Sequence, residues 1–226
     1  MILESSREID WGGLHLRNRI YGGTGSDSGL ANGGTRVSFA EADKVTAIKA
    51  RVRVNGVEAK GCDSNTIPTR AVVRLSGFFF NTTTQATVND ATNDVLAYIA
   101  LQRQSGSTDK PYLLHVVAYV YRCTNPGCGT AALIGTWDFG TISLFKAAEI
   151  SIQWDEAYHQ FIFTLNRQSP VYIPYDSQYN TSPPGIQKFK RIEVNNFLPN
   201  CTSEPRPVAF MDAFIDNVFV NLSAAA

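Results

Sequence analysis

Residues 149–166 read EISIQWDEAYHQFIFTLN, and the spacing of their apolar side chains decides the fold. Ile150, Ile152 and Trp154 alternate with Ser151, Gln153 and Asp155, the period of a strand with one dry face. Phe161, Phe163 and Leu165 repeat that pattern after a polar turn. The stretch therefore predicts a β-hairpin with Trp154 on its core side. Its three carboxylates, Glu149, Asp155 and Glu156, fall at the edge and the turn.

The same pattern recurs along the chain. β-rich runs at 49–56, 70–81, 94–104, 112–123, 131–140, 189–197 and 209–221 are separated by loops rich in Gly, Pro and Asn, including 169–187. Many short strands between such loops predict an all-β sandwich or barrel. The best helical candidate is SFAEADKVTAIKA, 38–50. The Gly-rich YGGTGSDSGLANGGT, 21–35, reads as a surface loop. It lacks the Gly-Lys-Ser/Thr of a phosphate-binding loop and the glycine spacing of a dinucleotide site. With no repeat and no long linker, one domain is expected over residues 1–226, the N-terminal strand and Gly-rich loop of 1–35 included.

Twenty basic residues balance twenty acidic ones, so no net charge draws the chain to nucleic acid or an anionic membrane. No run nears the ~20 apolar residues of a membrane-spanning helix. Cys123 and Cys128 bracket the turn sequence Asn-Pro-Gly, which brings two sulfurs within bonding reach, and Cys62 and Cys201 remain to pair across a long loop. The three histidines show no zinc-ligand spacing near these cysteines. Two disulfides point to a secreted or cell-surface protein. MILESSREID at the start lacks the apolar core of a signal peptide, so the expectation is that such a peptide has been removed. Sequons at Asn81, Asn180, Asn200 and Asn221 fit export, or chance in a chain rich in Asn, Ser and Thr.

Three stretches together carry a resemblance: ISIQWDEAYHQFIFTLN, AVVRLSGFFFN and the closing AFIDNVFVN, in which an acid precedes an alternating run. They resemble the concanavalin A-like lectin/glucanase superfamily, in its non-catalytic bacterial extracellular form. The resemblance implies a two-sheet antiparallel jelly-roll β-sandwich. Laminarinase-like members align catalytic acids as Glu-x-Asp-x-Glu on one strand face. Here EISIQ has Ser151 and Gln153 where acids would stand, and glutamine cannot donate a catalytic proton. The alternative strand, NDVLAYIALQRQ, has no carboxylate after Asp94. No Gly-x-Ser-x-Gly elbow is present either. A non-enzyme is expected.

A lectin-like module would place aromatic, amide and guanidinium groups on the polar side of a sheet. Alternation puts Arg74 with Ser76, Tyr98 with Gln102, and His115 with Tyr119 and Tyr121 on common strand faces. These, with Trp137 between the glycines of GTWDFG, are the candidate carbohydrate ligands. The resemblance also implies one structural calcium, with Asp216 as the aspartate and Asn32–Gly33 as loop carbonyls. The expected function is non-catalytic binding of a glycan or surface polymer, without nucleic acid or membrane insertion. The rival expectations are an assembly subunit of a surface layer, filament or appendage, with homo-oligomers built by strand addition, and a diverged glycoside hydrolase.

Overall fold

The computed structural model describes residues 2–10, 12–22, 26–185 and 189–222. In chain order the strands are β1 (Ile2–Asp10), β2 (Gly13–Tyr21), β3 (Leu30–Ser38), β4 (Val45–Lys60), β5 (Arg70–Asn81), β6 (Asp94–Gln104) and β7 (Leu113–Cys123). They continue with β8 (Ala131–Ser143), β9 (Ala147–Asp155), β10 (Gln160–Leu165), β11 (Val171–Pro174), β12 (Lys190–Pro199) and β13 (Val208–Leu222). A seven-stranded sheet runs β1-β2-β13-β4-β9-β10-β11 and a six-stranded one β3-β12-β5-β6-β7-β8, every pairing antiparallel. This is the jelly-roll sandwich that the resemblance implies.

Residues 149–166 form the hairpin β9–β10, with Ile152 opposite Phe163 and Trp154 opposite Phe161. Their inward rings meet β5. Trp154 stacks on Phe80 at 5.3 Å, Phe161 meets Phe79 edge-on at 5.0 Å, and the Trp154 indole N–H donates to the Tyr175 hydroxyl. Three consecutive phenylalanines fit one strand because the β5–β6 register shifts between Phe78 and Phe80. Such a bulge lets neighbouring residues share a side, so Phe79 and Phe80 both enter the core while Phe78 packs with Phe189. One continuous apolar cluster joins both sheets, from Leu14 on β2 to Ile215 on β13.

Two segments depart from the sequence reading. Residues 38–50 hold only a short 3-10 turn, Ala42–Lys44, before β4 begins. The pairing of β4 with β13 and β9 on its two sides supplies more than local helix propensity could. The Gly-rich stretch is a loop for only part of its length, since Leu30 to Thr35 belong to β3. A β-carbon on Gly33 would strike Ile20 and Leu3, and one on Gly34 would meet the Val194 carbonyl, so this strand needs glycine for close approach. Residues 23–25 of that loop lie outside the described residues.

Both expected disulfides form, Cys62–Cys201 and Cys123–Cys128. Two of the sequon asparagines are internal instead of surface-facing. Asn81 is buried and donates to the Thr92 carbonyl and Asp94, and buried Asn180 donates to the Glu156 carbonyl and Tyr175.

Lys190 is the unusual core residue. Its stem passes over Gly77, where a β-carbon would collide with it, and its Nζ donates to the carbonyls of Ala42 and Phe78. Burial pulls its ammonium down to about 8. The neighbouring Asp43 carboxylate opposes that pull. An unfolded lysine keeps its proton to about pH 10.4. Above about pH 8 the unfolded chain therefore binds the extra proton, and stability rises with pH until both states are neutral. Thermal melts followed by circular dichroism should show the melting temperature climbing across that window. The climb should vanish in Lys190→Met.

Candidate functional site

The side of the six-stranded sheet turned away from the core gathers most of the sequence candidates. On β5, Ala71, Val73 and Leu75 are buried against the other sheet, which sends Arg70, Val72, Arg74 and Ser76 to the open face. On β6 the same constraint turns out Tyr98 and Gln102, and on β7 His115, Tyr119 and Tyr121. Register aligns them: Ser76 stands opposite Tyr98, Tyr98 opposite Tyr119, and Gln102 opposite His115.

The three tyrosines make one stack. Tyr98 and Tyr119 are 5.1 Å apart between ring centroids, Tyr119 and Tyr121 5.5 Å, and Tyr98 and Tyr121 6.1 Å. Burial pushes the Tyr98 hydroxyl above the usual phenol range, as it does that of Tyr121, so both stay neutral donors and acceptors. The Arg74 guanidinium lies 4.9 Å over the Tyr98 ring. It is fixed there by Glu193, whose Oε1 takes the Arg74 Nε–H at 2.6 Å and the Ser76 hydroxyl at 3.1 Å. Arg191 pairs with the second oxygen at 2.9 Å. Burial by itself would raise the Glu193 carboxyl, but the two guanidiniums outweigh it and hold the group ionised below its ordinary range.

At the other side of the face His115 is clamped between two acids. Its Nε2 lies 2.7 Å from Asp109 and its Nδ1 2.8 Å from Asp138. Each ring nitrogen faces a carboxylate oxygen able to accept its proton, an arrangement that favours the doubly protonated ring. The hydrogen bond that His115 makes to Asp109 is the main cause of its raised value, partial burial opposes it, and Asp138 adds to it. Two shallow hollows lie on this surface. One, of about 220 Å³, is bounded by Arg70, Arg74, Tyr98, Gln102, Tyr121 and Phe197. The next, of about 300 Å³, is bounded by Gln102, Ser107, His115, Tyr119 and Asp138, so Gln102 borders both.

Sequence reasoning missed Arg70, Arg191 and Glu193, though alternation against the inward Ile192 and Val194 marks the last two as outward. Asp109 and Asp138 reach His115 from a loop and across a bulge, and no local pattern announces that. Trp137 does not join the group. The β7–β8 register shifts between His115 and Val117, which puts Thr136 opposite Tyr119 and Trp137 opposite the core residue Ala118. Its half-exposed ring lines a separate cleft of about 660 Å³ between β8 and β11, with Tyr172 and Pro170.

The calcium set is not brought together either. Asn32 and Gly33 are ladder residues of the edge strand β3, opposite Phe197 and Asn196, and do not belong to a loop. Gly33 packs at Ile20, which pairs with Ala209. Asp216 lies seven residues further along β13, roughly 20 Å at ~3.3 Å per residue. Asp216 Oδ1 is buried without a hydrogen-bond partner among the described residues, but Asn32 and Gly33 do not serve it.

No family model matches the chain, and no curated protein does. Several solved structures are similar to it. A polysaccharide lyase of family 18, aly-SJ02, is 8% identical, with 99% of this chain and 96% of that one covered and a TM-score of 0.44. The carbohydrate-binding module CBM66 from Bacillus subtilis is 11% identical, with 96% and 92% covered and a TM-score of 0.33. Lectin I-B4 from Griffonia simplicifolia is 9% identical, with 98% and 93% covered and a TM-score of 0.31. At such identities and scores these likenesses carry no argument about ligand or activity.

The His115 clamp yields a direct test. Its folded value is raised, so the stabilisation it contributes is complete below about pH 6.5 and lost as pH rises through that folded value. Ring-nitrogen NMR at pH 6.5 should find both nitrogens of His115 protonated. Asp109→Asn should lower its titration midpoint more than Asp138→Asn.

Proposed function

We propose that the open face of the six-stranded sheet is the carbohydrate-binding groove of a non-catalytic, lectin-like module of an exported protein. The observation that carries this reading is the Tyr98–Tyr119–Tyr121 stack bordered by Arg74, Gln102 and His115. A sugar offers apolar C–H patches to aromatic faces and hydroxyls to planar polar groups, and this surface supplies both over a short span. Glu193 holds Arg74 in place, so part of the groove is preorganised before a ligand arrives. The two disulfides support export.

The disposition of the acids speaks against hydrolysis by a carboxyl pair. A retaining glycosidase needs two carboxyls about 5–5.5 Å apart, one of them able to carry a proton. Glu193 is tied to two guanidiniums, and Asp109 is held below the carboxylate range chiefly by its hydrogen bond from His115. Glu149 belongs to the other sheet, where it pairs with Lys49 at 2.7 Å.

The assembly reading has one observation in its favour. β8 is a thirteen-residue edge strand with Leu133 and Trp137 about half exposed, which leaves an edge able to accept a strand. Light scattering separates the two: ordered oligomers in a protein that retains no glycan would favour assembly.

Titration against a panel of immobilised glycans should give saturable binding. Tyr121→Leu should weaken it ~10-fold or more, given the 1–3 kcal/mol scale of an aromatic contact, with circular dichroism unchanged. A blank panel from folded protein would overturn the reading, and release of new chain ends would overturn its non-catalytic part.

A further inference from the structure

The chain is neutral overall, but its charge is not spread evenly. The three strands β3, β12 and β5 carry four arginines, Arg36, Arg191, Arg70 and Arg74, and one acid, Glu193. Arg36 stands opposite Glu193 in the ladder, and Arg74 and Arg191 bind its two oxygens. That single carboxylate is already shared. Asp109 and Asp138 lie across the face and are engaged by His115.

Arg70 is left over. It has no ion pair or hydrogen bond among the described residues, and its Nε is buried without a partner. Phe197 holds its guanidinium from below, with the ring centroid 5.0 Å away. It borders the smaller hollow beside the Tyr98 and Tyr121 rings, the Gln102 amide and Arg74. A guanidinium placed on an aromatic ring beside a second, compensated arginine presents a fork suited to two oxygens of one anionic group. The neighbouring phenol and amide can donate to the same group. A neutral sugar would cover Arg70 and leave its charge without water or counter-ion, a cost that an anion removes.

We propose that the groove selects acidic saccharides, with the anionic group of one sugar unit held by Arg70 in this hollow and the adjoining ring seated on the tyrosine stack. The inference rests on the carbohydrate-binding reading and adds the substrate class. The chemistry required is a negatively charged oxygen group on a sugar, which a uronate carboxylate or a sulfate ester each supplies.

Calorimetric titration at low ionic strength with oligogalacturonate, its full methyl ester and κ-carrageenan oligosaccharides tests it. The ester keeps the backbone and removes the charge, and the third probe distinguishes sulfate from carboxylate. The acid should bind ~10- to 100-fold more tightly than its ester, the scale of one hydrogen-bonded charge. The advantage should shrink as salt is added. Arg70→Gln should collapse the ratio of acid to ester affinities. Arg70→Lys, which keeps the charge without the fork, should retain part of it and guards against a loss caused by misfolding. Binding of carrageenan but not galacturonate would support the inference with sulfate as the group. Equal affinity for ester and acid, lost in both on Tyr121→Leu, would overturn this inference and leave the carbohydrate reading standing. Absence of binding to any glycan would overturn both.

Discussion

The central strands β5, β6 and β7 of the six-stranded sheet must bury alternate residues against the seven-stranded one, and that requirement shapes the rest of the molecule. Once Val73, Leu75, Ile99, Leu101, Val116 and Val120 occupy the dry side, the residues between them have one place to go. Register then converts a property of single strands into a surface. Ser76, Tyr98 and Tyr119 fall in one row across β5, β6 and β7 because the ladders align them, with no pull between the rings needed to set the alignment. A one-residue slip in β6 would send Tyr98 into the core and Ile99 into water. The stack is thus as secure as the core beneath it.

Glu193 turns this surface from a set of side chains into a fixed arrangement. A buried carboxylate is costly alone, and it is tolerated because Arg74, Arg191 and Ser76 satisfy it from β5 and β12. The pairing locks the guanidinium of Arg74 over Tyr98. A long flexible side chain is thereby held still in the free protein, so less ordering remains when something binds. The same network explains why the arginines on this face differ in character: two have a partner that fixes them, and Arg70 has an aromatic ring beneath it and an unmet charge.

Much of this was legible in the sequence where a single strand decides the matter. The strands at 70–81 and 94–104 match their predicted limits residue for residue, and the side on which Arg74, Tyr98, Gln102, His115, Tyr119 and Tyr121 lie follows from alternation alone. Legibility fails where two strands must be compared. The bulge opposite His115 resets the phase of β8, and Trp137, placed by its glycine neighbours, ends in the edge cleft. It fails again where tertiary pairing overrides local preference, as in 38–50, and where glycines mean close packing instead of a loop, as at Gly33 and Gly34. Asp109 and Asp138 come from separate segments that only the folded chain brings to one histidine. The calcium set drawn from resemblance placed two ladder glycine-strand residues beside an aspartate that the topology puts far along another strand.

The strand order has a further consequence, for the time at which this protein can exist. β13 is the strand that joins β2 to β4, and β12 is the one that joins β3 to β5. Each sheet is therefore bridged by a segment from the last part of the chain, inserted between strands synthesised long before it. Closing such long loops is entropically slow, and most residue contacts here are far apart in sequence. Until β12 and β13 emerge, the early strands have open edges and no completed partner sheet. Neither sheet is therefore complete until β12 and β13 have taken their places between those earlier strands.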